Sequence, residues 1–114
     1  QNPDRIETVL EELERFYAIS DFYFANGERE RSILLLNEIA GKLETILDKN
    51  EGDLPTAFAL ADTYEKNGDF QTGKQRREFY EKSENIWTKY QQTYPLLLYE
   101  NNKIDGSRQK KTSE

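Results

Sequence analysis

Apolar residues recur at intervals of three and four along most of this chain, the spacing of one face of an α-helix. Over residues 4–25 the stripe is Ile6, Val9, Leu10, Leu13, Phe16, Tyr17, Ser20, Tyr23 and Phe24. Asn26-Gly27 follows, and Gly takes the left-handed closing conformation of a helix at little cost, so the first helix is predicted to stop there. A second stripe over 28–48 contains Leu36, Ile39, Ala40, Leu43, Ile46 and Leu47. The polar run Lys49-Asn50-Glu51-Gly52-Asp53 reads as a loop. Pro55 then suits the first turn of a third helix, where its missing N–H is no loss. Ala57, Leu60, Ala61 and Tyr64 form the stripe of that helix, and Asn67-Gly68 is predicted to end it. A fourth pattern over 70–93 places Phe79, Ser83, Ile86, Trp87, Tyr90 and Tyr94 on one face before Pro95. Period-two alternation is sustained nowhere, so no strand competes.

Short polar connections between long helices make neighbours antiparallel. The chain is therefore expected to be all-α, with a helical domain over 1–102. That domain holds one hairpin at about 4–48, a second at about 54–94, and a short C-terminal helix or turn at 95–102. Residues 103–114 read as a polar tail expected to be disordered.

The two Asn-Gly pairs stand 41 residues apart. Aligning them lays Ser20-Asp21-Phe22-Tyr23 over Ala61-Asp62-Thr63-Tyr64, so a small residue, Asp and Tyr recur in register. Self-similarity at such a period is the mark of stacked helical units. On these residues the chain resembles the tetratricopeptide repeat over about residues 13–90. Leu60, Ala61, Tyr64 and Gly68-Asp69-Phe70 match that family in the second copy, and Phe16, Ile19, Ser20, Tyr23, Gly27, Ser32 and Leu36 in the first. Gly73 fits in the second copy, whereas Arg77 and Tyr80 stand where apolar or small residues are usual. The interval of 41 exceeds the usual 34. The resemblance implies two stacked hairpins in a right-handed array.

Composition narrows the chemistry. The 114 residues include no His and no Cys. That excludes His general bases, Cys–His nucleophiles, disulfides, iron–sulfur clusters and metal or haem sites that need those ligands. Asp48–Asp53 fails the calcium-loop template, which wants Asp or Asn at its fifth place, Gly at its sixth and Glu at its twelfth; these hold Gly52, Asp53 and Ala59. Carboxylate pairs such as Glu11/Glu12 and Glu28/Glu30 are expected to form solvated faces. No catalytic, cofactor or metal residue is expected. The longest apolar clusters, 33–36 and 94–99, fall far below the roughly 18 residues of a membrane-spanning helix. The chain also lacks Met, so it is expected to be a piece of a longer protein or to have lost a leader. Absence of Cys fits a reducing compartment such as the cytoplasm, although exported domains also lack it.

Charge is divided unevenly. Residues 1–70 hold 16 acids and 7 bases, a net of −9, and residues 71–114 hold 6 acids and 9 bases, a net of +3. The overall −6 would repel phosphate, so no nucleic-acid partner is expected. Association of the acidic front with the basic back of another copy is a use of the asymmetry that salt would screen.

The family resemblance implies a peptide groove lined by the first helix of each hairpin. Its positions fall on Tyr17, Asp21 and Phe24 in the first copy and on Phe58, Asp62 and Glu65 in the second. Such a surface suits a basic or aromatic peptide. The same rings equally suit a core or a helix seam. Trp87, Tyr90, Tyr94, Leu97 and Leu98 form a C-terminal apolar cluster, expected either to cap the last hairpin or to dock on another surface. The expected function is a non-enzymatic protein–protein interaction module, an adaptor or assembly scaffold. The alternative is a structural helical accessory domain that packs on its own neighbouring domain or self-associates.

Overall fold

The computed structural model describes the backbone of residues 6–93 and the side chains of residues 10–92. Four helices follow in order: α1 (Ile6–Ala25), α2 (Arg29–Lys49), α3 (Leu54–Asp69) and α4 (Gly73–Thr93). Among the described residues there is no strand, and the fold is all-α. Each helix packs on the next, and α1 also touches α3, so the two hairpins stack through α3. Tyr94, Leu97, Leu98, the terminal turn at 95–102 and the tail at 103–114 lie outside the described residues.

The α1–α2 turn closes as its sequence requires. The Gly27 N–H donates to the Phe24 carbonyl at 3.1 Å and the Glu28 N–H to the Tyr23 carbonyl at 2.8 Å, with Gly27 at φ +79°. These two bonds are the Schellman closure, which only Gly adopts cheaply. Fully buried Ser20 and Ser32 let α1 and α2 approach, and the Ser32 hydroxyl donates to the Ser20 carbonyl at 2.7 Å. At the start of α3, Asp53 caps the helix by accepting from the Thr56 N–H at 3.3 Å.

The second hairpin departs from the expected repeat. Asn67-Gly68 does not end α3, which continues to Asp69. Gly68 is helical and buried, and a Cβ there would meet the Tyr80 ring at 2.7 Å. It is Gly because α4 lies against it, not because the chain turns. Arg76 caps the helix end instead, its Nε and Nη2 donating to the Gly68 and Asp69 carbonyls at 3.3 and 3.2 Å. A cation there also complements the helix dipole. The extra residues at the end of α3 shift the register of α4. Buried Leu36, Ile39, Leu43 and Ile46 of α2 recur 44 residues later as buried Tyr80, Ser83, Trp87 and Tyr90. Buried Ser20 and Ala61 keep the interval of 41. Tyr80 thus belongs to the core, whereas Phe79 and Ile86 are only half-buried.

The main core joins α1, α2 and α3 around Leu36, Ile39, Leu43, Ile46, Leu60 and Phe70. Leu36 and Leu43 are wholly enclosed, and burial of each contributes about 1.5–3 kcal/mol. A second cluster sets Ala57 and Ala61 of α3 against Trp87 and Tyr90 of α4. Small residues on α3 make room for large rings on α4. The Tyr90 hydroxyl reaches back to donate to the Glu51 carbonyl at 2.6 Å, tying α4 to the α2–α3 loop.

Candidate functional site on the first helices

The groove positions of the first copy lie on the side of α1 that meets α3. Tyr17 is half-buried and its hydroxyl lies 2.7 Å from that of Thr63. Thr63 spends its single hydroxyl hydrogen on the Ala59 carbonyl at 2.8 Å, so Tyr17 is the donor. Burial pushes the Tyr17 phenol up to about 12, and the Asp62 carboxylate adds to that shift. Asp21 is exposed and pairs with Lys66 of α3 at 2.8 Å. The same ammonium lies 5.4 Å from the Tyr17 ring centre and 5.5 Å from that of Phe70. Phe24, 41% exposed, stacks on Phe70 with centroids 4.3 Å apart and an interplanar angle of 13°.

The second-copy positions diverge. Phe58 is half-buried and stacked on Trp87 at 4.9 Å, so its ring serves the α3–α4 seam. Asp62 is exposed on α3, and Glu65 is half-buried one turn further on. The six positions therefore split into three groups, with Phe58 alone in the α3–α4 seam. Tyr17, Asp21 and Phe24 knit α1 to α3, while Asp62 and Glu65 continue the acidic surface along α3 without their expected ring. Lys66 was not anticipated from the sequence. It carries no motif, and its neighbours Tyr17, Asp21 and Phe70 come from two helices. With it, the cluster Asp21, Asp62, Glu65 and Lys66 has a formal charge of −2, since one cation offsets three carboxylates.

Of the C-terminal cluster, Trp87 and Tyr90 are 7% and 3% exposed and packed against Ala57 and Ala61. Both rings are consumed by the second hairpin and are closed to docking. Among the described residues the exposed large apolar side chains lie elsewhere: Ile19, Phe22 and Phe24 on α1 and Leu34 on α2. Phe22 is the most exposed of the three on α1, at 62%.

Other polar groups lock the helices together. The Tyr64 hydroxyl donates to Glu44 of α2. Burial, and then the bond and charge of Glu44, push this phenol up. Asn67, buried in α3, donates to Asn37 of α2 at 2.8 Å and accepts from Gln71 at 3.0 Å. Tyr80 donates to Asp69 at 2.5 Å. Among the described residues no group of three or more acidic side chains is arranged to hold a metal ion, and no helix is long and apolar enough to cross a membrane. Compared with known proteins, the chain matches no family model, no curated protein and no solved structure.

Proposed function

We propose that this chain is a non-enzymatic protein–protein interaction module, an adaptor or assembly scaffold built of tetratricopeptide-like hairpins. Its partner is a basic peptide or protein segment carrying an aromatic residue. The observation that supports this most is the placement of Asp21 and Asp62. They occupy the same repeat position on α1 and α3, and both remain exposed. Around them the side chains are already held in place. The Asp21–Lys66 pair, the Tyr17–Thr63 hydrogen bond and the Phe24–Phe70 stack fix this surface before any partner arrives. A prearranged surface loses less entropy on binding. The half-exposed Phe24 ring offers an aromatic residue of the partner a face to stack on. Net negative charge attracts a basic segment, and it disfavours nucleic acid.

The test is a fluorescence anisotropy titration of the domain with lysine–tyrosine peptides and with glutamate–tyrosine peptides of equal length. The basic peptides should bind, more weakly as salt rises, and the Asp21→Lys/Asp62→Lys double variant should lose them. Equal affinity for both peptide types, or undiminished binding by a folded double variant, refutes this surface.

A further inference from the structure

The exposed Ile19 and Phe22 of α1 have counterparts that explain them. They stand 41 residues before Leu60 and Thr63, the interval that also separates Ser20 from Ala61 and Tyr23 from Tyr64. In α3 those counterparts are the residues that receive the first hairpin. Leu60 lies in the core with Leu36, Ile39 and Leu43 of α2. Thr63 accepts the hydrogen bond of Tyr17. Asn67, on the same face, pairs with Asn37 of α2. Leu60 is 4% exposed and Thr63 fully buried, whereas Ile19 and Phe22 are 37% and 62% exposed. The face on which α3 accepts a preceding helix is thus present on α1, is apolar, and faces outward.

The opposite end of the stack is finished differently. Asn37, Glu44 and Leu47 of α2 lie along α3 and its clusters. Their counterparts in the α4 register, 44 residues on, are Glu81, Thr88 and Gln91, all exposed and polar. A second copy therefore cannot extend the stack by laying its α4 on α1, because α4 offers no apolar stripe there. Pairing of two α1 helices is disfavoured as well. Exposed Glu11 and Glu14, together with Glu12 beside Arg15, leave this part of α1 with a net charge of −2, and two copies would repel.

We infer that the outer face of α1, centred on Ile19 and Phe22, docks an amphipathic helix of a partner protein whose apolar stripe is flanked by Lys and Arg. The stripe is what α2 presents to α3 at the equivalent face. The basic flanks answer Glu11 and Glu12, which lie two turns before Ile19 on the same face of α1. This surface is separate from the acidic inner face of the first helices, and its binding does not depend on Asp62.

The probe is a synthetic peptide the length of α2, with Leu at helical three–four spacing and Lys at the remaining positions; a second peptide carries Glu in place of Lys. Amide chemical-shift mapping by NMR follows the isotope-labelled domain. The lysine peptide should shift resonances on α1 around residues 15–22, and the glutamate peptide should not. Phe22→Glu, a substitution at an exposed position, should weaken the lysine peptide by about tenfold or more. The shifts on α1 should persist in the Asp62→Lys variant, which separates this site from the proposed groove. Shifts confined to α3, or equal affinity of the wild type and Phe22→Glu, overturn the inference. Concentration-dependent dimerisation of the wild type in analytical ultracentrifugation, abolished by Phe22→Glu, also overturns it by making a second copy the occupant.

Discussion

Gly68→Ala is the most informative single perturbation of this fold, because two opposing effects of known size meet there. In a helix interior, Ala is favoured over Gly by about 1 kcal/mol. Against that, the new Cβ would lie 2.7 Å from both Cδ1 and Cε1 of Tyr80 and 3.3 Å from the Arg76 carbonyl oxygen. Carbon atoms rest at about 3.5–4.0 Å, so the ring must retreat by about 1 Å. It cannot do so freely, since its hydroxyl is held by Asp69 at 2.5 Å and the residue is 7% exposed. Overpacking of this kind costs about 1–3 kcal/mol, and a ring tethered at its far end belongs near the top of that range. The expected net loss is about 1–2 kcal/mol, or a fall in melting temperature of about 4–8 °C for each kcal/mol. Urea unfolding followed through Trp87, the only Trp, measures it directly. The decisive control is the same substitution in a Tyr80→Ala background. With the ring gone, Gly68→Ala should become stabilising by about 1 kcal/mol. A loss of equal size in both backgrounds would refute the reasoning, since it would mean that Gly68 is needed for its backbone conformation rather than for the space it leaves to α4.

Two further predictions follow from buried hydroxyls. Tyr17→Phe should cost about 1 kcal/mol, because Thr63 still satisfies the Ala59 carbonyl and only the one hydrogen bond is lost. The Tyr17 phenol ionises near 12 in the folded chain against an ordinary 10, so its contribution is intact below pH 10 and declines as pH rises from 10 to 12. Stability measured across that window should therefore fall less steeply in Tyr17→Phe than in the wild type, and parallel curves would contradict the assignment. Ser83 is buried on the α4 face toward α3, and its hydroxyl has no hydrogen-bond partner among the described residues. Ser83→Ala should raise stability by about 0.5–1 kcal/mol through relief of that desolvated group and better helix propensity, and a loss in urea unfolding would show that the hydroxyl is hydrogen-bonded after all.

Local sequence was enough to determine the elements of this protein. Apolar spacing of three and four, the Gly27 turn, the Asp53 cap and Pro55 in the first turn act within a few residues of where they stand. Four helices, the turn between α1 and α2 and the start of α3 could therefore be read before any fold was known. The Asn67-Gly68 pair marks where such reading fails. The same dipeptide that turns the chain at 26–27 runs through a helix at 67–68, because Tyr80, twelve residues further on, fills the space beside Gly68. Local propensity favours a stop only weakly, and packing against α4 outweighs it. The site was legible to a similar degree. The family resemblance implied Tyr17, Asp21 and Phe24 as groove positions, but only the stacking of hairpins brought Lys66 between them and turned Phe58 toward Trp87. The exposure of Ile19 and Phe22 belongs to the same class of fact. In sequence they are ordinary members of an apolar helix, and the tertiary structure alone decides which apolar faces find a neighbour, because burial is a property of contacts between elements and not of the element that carries the residue.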